Sequence, residues 1–163
     1  GLTIPVVYNC GGYEQIQTLR LLDGLVDIYM PDFKFWDNAI ALRLCNADGY
    51  RQAACAALKE MHRQVGDLAT DARGIATQGL LVRHLVMPDS VAETAEIMKF
   101  IAEHISRDTY VNIMPQYRPM GDLNDAVQFS RPITEEEFDA ALQTAEKVGL
   151  HRLDKPLRIF NLR

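Results

Sequence analysis

Four stretches place polar residues where apolar runs end or inside them, and these residues set the chemistry open to the chain. Asn9 precedes Cys10-Gly11-Gly12. Asp32 and Lys34 follow Pro31. Arg83 and His84 lie inside the run LLVRHLVM, and Tyr117 and Arg118 follow Pro115. Arg83 is the sharpest signal, because a guanidinium among Leu and Val is too costly to bury alone. It needs Asp27 or Asp32 as a partner, an anionic ligand, or both. Asp32 and Lys34 stand two apart, so in extended backbone they point the same way. They can form a loop ion pair or offer a cation and a carboxylate to a zwitterionic ligand. Asn9 can orient a ribose or close a turn. Tyr117 and Arg118 can stack on a flat ring or pack within a loop. His84, next to Arg83, faces the other side and reads as a packing residue.

Other chemistries find little support. Gly11-Gly12 belongs to neither a Walker A nor a GxGxxG motif. His62, His104 and His151 form no HExxH or Cys/His set and read as structural. Cys10, Cys45 and Cys55 are widely spaced and read as buried or half-buried thiols in a reducing, cytoplasmic setting. No acid–base dyad or nucleophile–base pair can be picked out. The residues alone lead to a site for an anionic or zwitterionic ligand.

The elements that must position these residues follow from periodicity. Apolar runs at 4–9, 25–30, 80–87 and 110–114 read as strands. Helical patterns are expected over 14–22, from the Asp37-Asn38 cap to about 44, and over 50–65. The third carries the stripe Tyr50, Ala53, Ala54, Ala57, Leu58, Met61 and Val65, closed by Gly66. Residues 67–79 read as a surface hairpin or loop. Ser90-x-x-Glu93 and Thr134-x-x-Glu137 are capping boxes that start helices. Residues 116–131 read as a long loop, and 157–162 as a last strand. The order β-α-β-αα-hairpin-β-α-β-loop-α-β predicts an α/β fold of parallel strands covered by helices. It fits an open sheet or an arc of a barrel.

Size and composition bound the rest. The chain has 163 residues, 48% apolar and 24% charged, with a net charge of −5. That is one globular domain. The acidic balance argues against a broad nucleic-acid surface, and no apolar stretch is long enough to span a membrane. The opening Gly1-Leu2-Thr3-Ile4-Pro5 enters an apolar run at once, the pattern of a chain beginning inside a fold.

The strings VVYNCGGYE, VDIYMPDFKFWD, EMHRQVGDL, GLLVRHLVMP and YVNIMPQYRP, in this order over about residues 2–145, resemble the C-terminal half of radical S-adenosylmethionine (radical SAM) proteins. The nearest branch is the uncharacterised iron–sulfur group related to pyruvate formate-lyase activating enzyme. The resemblance implies the C-terminal portion of a partial (β/α)6 TIM-like barrel over 1–163, with a C-terminal helix and last strand in 132–163. It implies that the parent cleaves SAM reductively at a [4Fe-4S] cluster, giving a 5′-deoxyadenosyl radical for hydrogen abstraction. A flavodoxin or ferredoxin would supply the electron, and a glycyl radical enzyme or a small molecule would be the substrate. Asn9 falls where the family contacts ribose, and Asp32 and Lys34 fall at a SAM-proximal station. Arg83 matches a strand Arg that meets SAM or a partner's backbone. Tyr117 lies near the adenine, where activating enzymes carry a His. The CxxxCxxC loop that holds the cluster is absent from these residues, so this chain alone is expected to be inactive. Two alternatives are a non-catalytic ligand- or partner-binding half-barrel and a segment of an unrelated (β/α)8 enzyme. A half-barrel would also expose an apolar strand edge, which predicts low solubility or edge pairing.

Overall fold

The computed structural model describes residues 2–120 and 127–154, and at 91 and 92 the backbone alone. Five strands and five α-helices follow in the order β1 (Val7–Cys10), α1 (Ile16–Leu21), β2 (Ile28–Pro31), α2 (Asn38–Cys45), α3 (Tyr50–Val65), β3 (Ala69–Thr70), β4 (Ala76–Leu85), α4 (Val91–His104), β5 (Tyr110–Met114) and α5 (Glu135–Lys147). A short 3-10 turn spans Val127–Phe129. The expected last strand at 157–162 lies outside the described residues.

β1, β2, β4 and β5 are parallel, and each pairs with the next in that order. Neighbours in the sheet are thus successive in the chain. β3 is antiparallel to the start of β4 and makes the expected hairpin. At its tip the Asp71 carboxylate accepts the Arg73 and Ile75 N–H groups at 2.9 and 3.0 Å, an Asx turn.

Most boundaries follow from backbone chemistry. β1 starts later than expected. The Val6 N–H donates to the Asp27 carboxylate at 2.7 Å, so it is not free for a ladder. β2 also starts late, because the Leu25 N–H closes a turn onto Leu22 O at 3.0 Å. β4 reaches back to Ala76 through its pairing with β3. α3 and β5 match the expected ranges. The Thr134–Glu137 capping box forms. The one at Ser90 does not. Its hydroxyl turns back to Met87, donating to the carbonyl at 2.5 Å and accepting the N–H at 3.1 Å. Glu93 is drawn away to the Trp36 N–H.

The parallel strands are covered by helices as expected, but their two faces are not equally buried. Along β4, Leu80, Val82 and His84 are buried while Leu81, Arg83 and Leu85 are half-buried. β1 alternates between exposed Val7 and Asn9 and half-buried Tyr8 and Cys10. The buried face packs on helices, with α3 against β2 and β4. Its core includes Tyr29, Leu58, Met61, Leu80, Val82, Ile97 and Ile113. Burying a side chain of this size contributes about 1.5–3 kcal/mol. The other face carries Asn9, Met30, Arg83 and Asn112. Among the described residues no helix is long and apolar enough to cross a membrane.

Candidate functional site at the strand ends

Asn9 and Asp32 lie at the C-terminal ends of β1 and β2, and Arg83 lies near the end of β4. The Asp32 backbone bridges to Arg83. Parallel alignment therefore brings the three side chains to one end of the sheet, and a close approach of backbones tightens the group. Gly12, at φ 78°, lies against the Asp32 carbonyl, where a Cβ would overlap it. Only glycine fits there without strain.

Arg83 pairs with Asp32 rather than Asp27. Its Nε donates to Asp32 Oδ1 at 2.7 Å, while Nη2 lies 2.6 Å from the same oxygen as an ion pair and donates to Asn9 Oδ1 at 2.8 Å. Lys34 Nζ takes the other oxygen, Asp32 Oδ2, at 2.9 Å. One buried carboxylate is thus shared by two cations that keep 24% and 33% of their side chains exposed. Arg83 Nη1 and the remaining Lys34 ammonium protons have no hydrogen-bond partner among the described residues. The group carries one net positive charge in a chain of net charge −5, so its outer side suits an anion.

Tyr117 joins this group through a neighbouring cleft of about 220 Å³, which Lys34, Leu85, Met87, Tyr117 and Arg118 help to line. Its hydroxyl donates to Phe129 O at 2.8 Å, so the phenol is spent on the loop. The cleft thus combines the aromatic residues Phe35 and Tyr117 with two cations and several apolar side chains. The structure thus brings together Asn9, Asp32, Lys34 and Arg83, and sets Tyr117 beside Lys34.

No family model matches the chain. Over 148 residues it is 34% identical to the uncharacterized protein MJ0674 of Methanocaldococcus jannaschii. The match takes in 90% of this chain and 39% of that protein. The chain therefore spans well under half the length of the relative.

The remaining polar residues behave as structural groups. His84 is fully buried and burial pushes its pKa down to about 4, so it is neutral near pH 7. Its Nδ1 must donate to Phe33 O at 2.7 Å, since a carbonyl only accepts. Its Nε2 then accepts the Thr94 hydroxyl at 2.9 Å. His62 meets Asp67 at 3.1 Å and His151 meets Asp108 at 3.2 Å. The His104 ring tilts against Phe100. Cys10, Cys45 and Cys55 are free thiols; Cys10 and Cys55 are half-buried as expected, but Cys45, at the end of α2, is exposed. Burial pushes Cys10 up to about 11, which makes it a poor nucleophile near neutral pH.

Two residues at the site escaped sequence reasoning. Tyr50 reads as one more member of an apolar stripe, yet its hydroxyl meets Gly11 O, Asp32 O and Lys34 N at 3.0, 3.2 and 3.1 Å. The available signal was a tyrosine on a buried face, because a buried phenol needs a partner. Asn112 is the register partner of Arg83 on β5 and makes no side-chain hydrogen bond among the described residues. A lone Asn in YVNIM was its signal.

Proposed function

We propose that this chain is the C-terminal half of a radical SAM domain, and that its strand-end cluster binds the amino-acid end of SAM. The observation that carries the reading is the convergence of Asn9, Asp32, Lys34 and Arg83 at the C-terminal ends of parallel strands. That is where α/β folds place ligands. The donor set fits SAM: unspent cation donors suit its carboxylate, the Asp32–Lys34 station suits a zwitterion, and the Tyr117 cleft suits a flat ring.

The strand order supports an arc of a partial (β/α)6 TIM-like barrel. Successive parallel strands sit side by side, and among the described residues the face that carries Asn9 and Arg83 is less buried than the other, as an arc of a barrel would have it; doubly wound sheets reverse their order. On this reading Lys34 and Arg83 fix the carboxylate, Asn9 faces the ribose, and Tyr117 lies against the adenine. SAM would supply a hydrogen-abstracting group when reduced by an iron–sulfur cluster. The residues here do not fit that cluster. Among the described residues no three His, Cys, Asp or Glu side chains are grouped to hold a metal. The cluster, the electron donor (flavodoxin or ferredoxin) and the substrate (a glycyl radical enzyme or a small molecule) therefore belong to a longer parent. The free thiols support a reducing, cytoplasmic setting.

Calorimetric titration of the chain with SAM and with 5′-methylthioadenosine, which lacks the amino acid, tests the reading. Losing a charge-assisted hydrogen bond removes about 1.5–3 kcal/mol, or roughly ten- to hundredfold in affinity. Lys34→Met and Arg83→Met should weaken SAM by that factor and leave methylthioadenosine unchanged. Absence of SAM binding, or equal loss for both ligands, would sink this assignment.

A further inference from the structure

Lys34 sits on a short connection between β2 and α2, the kind of segment that is mobile by default. Here its backbone is held from other elements at almost every step. The Asp32 N–H donates to Cys10 O at 2.9 Å and the Phe33 N–H to Arg83 O at 2.8 Å. Phe33 O accepts the His84 Nδ1 proton at 2.7 Å. The Lys34 N–H donates to Tyr50 Oη at 3.1 Å, and the Tyr50 proton is shared between Gly11 O and Asp32 O. The Trp36 N–H donates to Glu93 Oε2 at 3.0 Å.

Three of these holds come from side chains that a purely apolar packing scheme would not choose. Tyr50 is 4% exposed and its ring already packs against Phe33 and Phe35, so a Phe would fill the space. His84 is fully buried at a β4 position where an aliphatic residue would serve the core. Glu93 leaves its own helix start uncapped to reach the Trp36 N–H. Burying polar groups is costly unless every one is matched. All three matches fall within the five residues that carry Asp32 and Lys34. Functional groups held to a fraction of an ångström need this kind of support.

We propose that Tyr50, His84 and Glu93 are positioning residues that fix the 32–36 backbone and so present Lys34, seated on Asp32, to a ligand at the strand ends. Its purpose rests on the ligand site proposed above; its physical content does not. Amide hydrogen exchange on the full 163-residue chain, without ligand, decides it. In Tyr50→Phe the Lys34 amide should exchange at least tenfold faster, while the amide of Val82 in the β4 core keeps its rate. In Glu93→Ala the Trp36 amide should accelerate by a similar factor, and Glu93→Gln, which keeps an acceptor, should restore most of the protection. A side-chain readout accompanies these rates. Acetylation of Lys34 by acetic anhydride should rise at least threefold in Tyr50→Phe relative to the exposed Lys99 and Lys147.

If Lys34 and Val82 accelerate together, the hydroxyl supports the fold at large and the proposal is overturned. Unchanged Lys34 exchange and acetylation overturn it as well. If Tyr50→Phe does not fold, the Glu93 pair carries the decision. A Trp36 amide equally fast in Glu93→Ala and Glu93→Gln, or unmoved in both, overturns it. A chain that fails to bind SAM overturns the ligand assignment and leaves these rates to decide positioning alone.

Discussion

At the scale of single residues, the sequence allowed two partners for Arg83, and geometry chose between them. Asp27 immediately precedes β2 and spends its carboxylate on the Val6 N–H. Asp32, just beyond the other end of that strand, accepts the Arg83 Nε proton. His84 is the neighbour whose chemistry can be checked by pH. Its folded pKa is about 4 against 6.5 for the free side chain. Below pH 6.5 the unfolded chain takes up a proton that the folded chain refuses, so stability falls as pH falls toward 4. The carboxylates held low, Glu60 and Glu137, start from 4.5 and titrate in the folded state near 2. Their contribution is lost progressively as pH falls from 4.5 through 2, below the window that His84 governs. Between pH 6.5 and 4.5 the His84 slope alone amounts to about 2–3 kcal/mol. Urea unfolding at pH 7.0 and 4.5 should show a loss of that order, and His84→Asn should flatten it while lowering stability at pH 7. A variant with the same pH slope as the native chain would refute the assignment.

At the scale of elements, hydrophobic periodicity located almost every helix and strand, since burial against α3 and α4 depends on side-chain spacing alone. What it could not show was where polar side chains are spent outside their own element. Ser90-x-x-Glu93 and Thr134-x-x-Glu137 have the same spacing, yet only the second caps its helix. Glu93 faces the β2–α2 connection, a long-range competitor invisible in a local pattern. The site shows the same limit. Arg83, Asp32 and Lys34 were legible because charge in an apolar run needs a partner. Tyr50 was not, because its ring satisfies the core pattern and only its hydroxyl does otherwise. The α5 cap gives a measurable contrast. Thr134→Ala should cost about 1 kcal/mol, as lost caps do. Glu137→Ala should cost more, because the same carboxylate also holds Arg131 at 2.8 Å and the Asp89 N–H at 2.8 Å. Equal losses by urea titration would mean that Glu137 acts only as a cap residue.

At the scale of the whole molecule, the sheet packs one face on helices and, among the described residues, has an unpaired edge at β1. Among the described residues β1 pairs only with β2. Val7 is 51% exposed on it, and Leu2 and Ile4, just before it, are 78% and 69% exposed. An unpaired edge offers its N–H and C=O groups to any other strand, and apolar side chains along it favour that pairing. A net charge of −5 resists association but is spread over the entire chain, and at physiological salt it is screened within about 8 Å. The edge should therefore win locally. Sedimentation velocity should show association that rises with protein concentration and persists at 0.5 M salt (the charge on the rest of the surface being screened further there). Val7→Lys places a charge on the edge without touching the buried face, and should return the chain to monomer with its thermal unfolding temperature little changed. If the native chain stays monomeric across the concentration range, the β1 edge is already protected and this account of it fails. If Val7→Lys associates as strongly as the native chain, another surface is responsible.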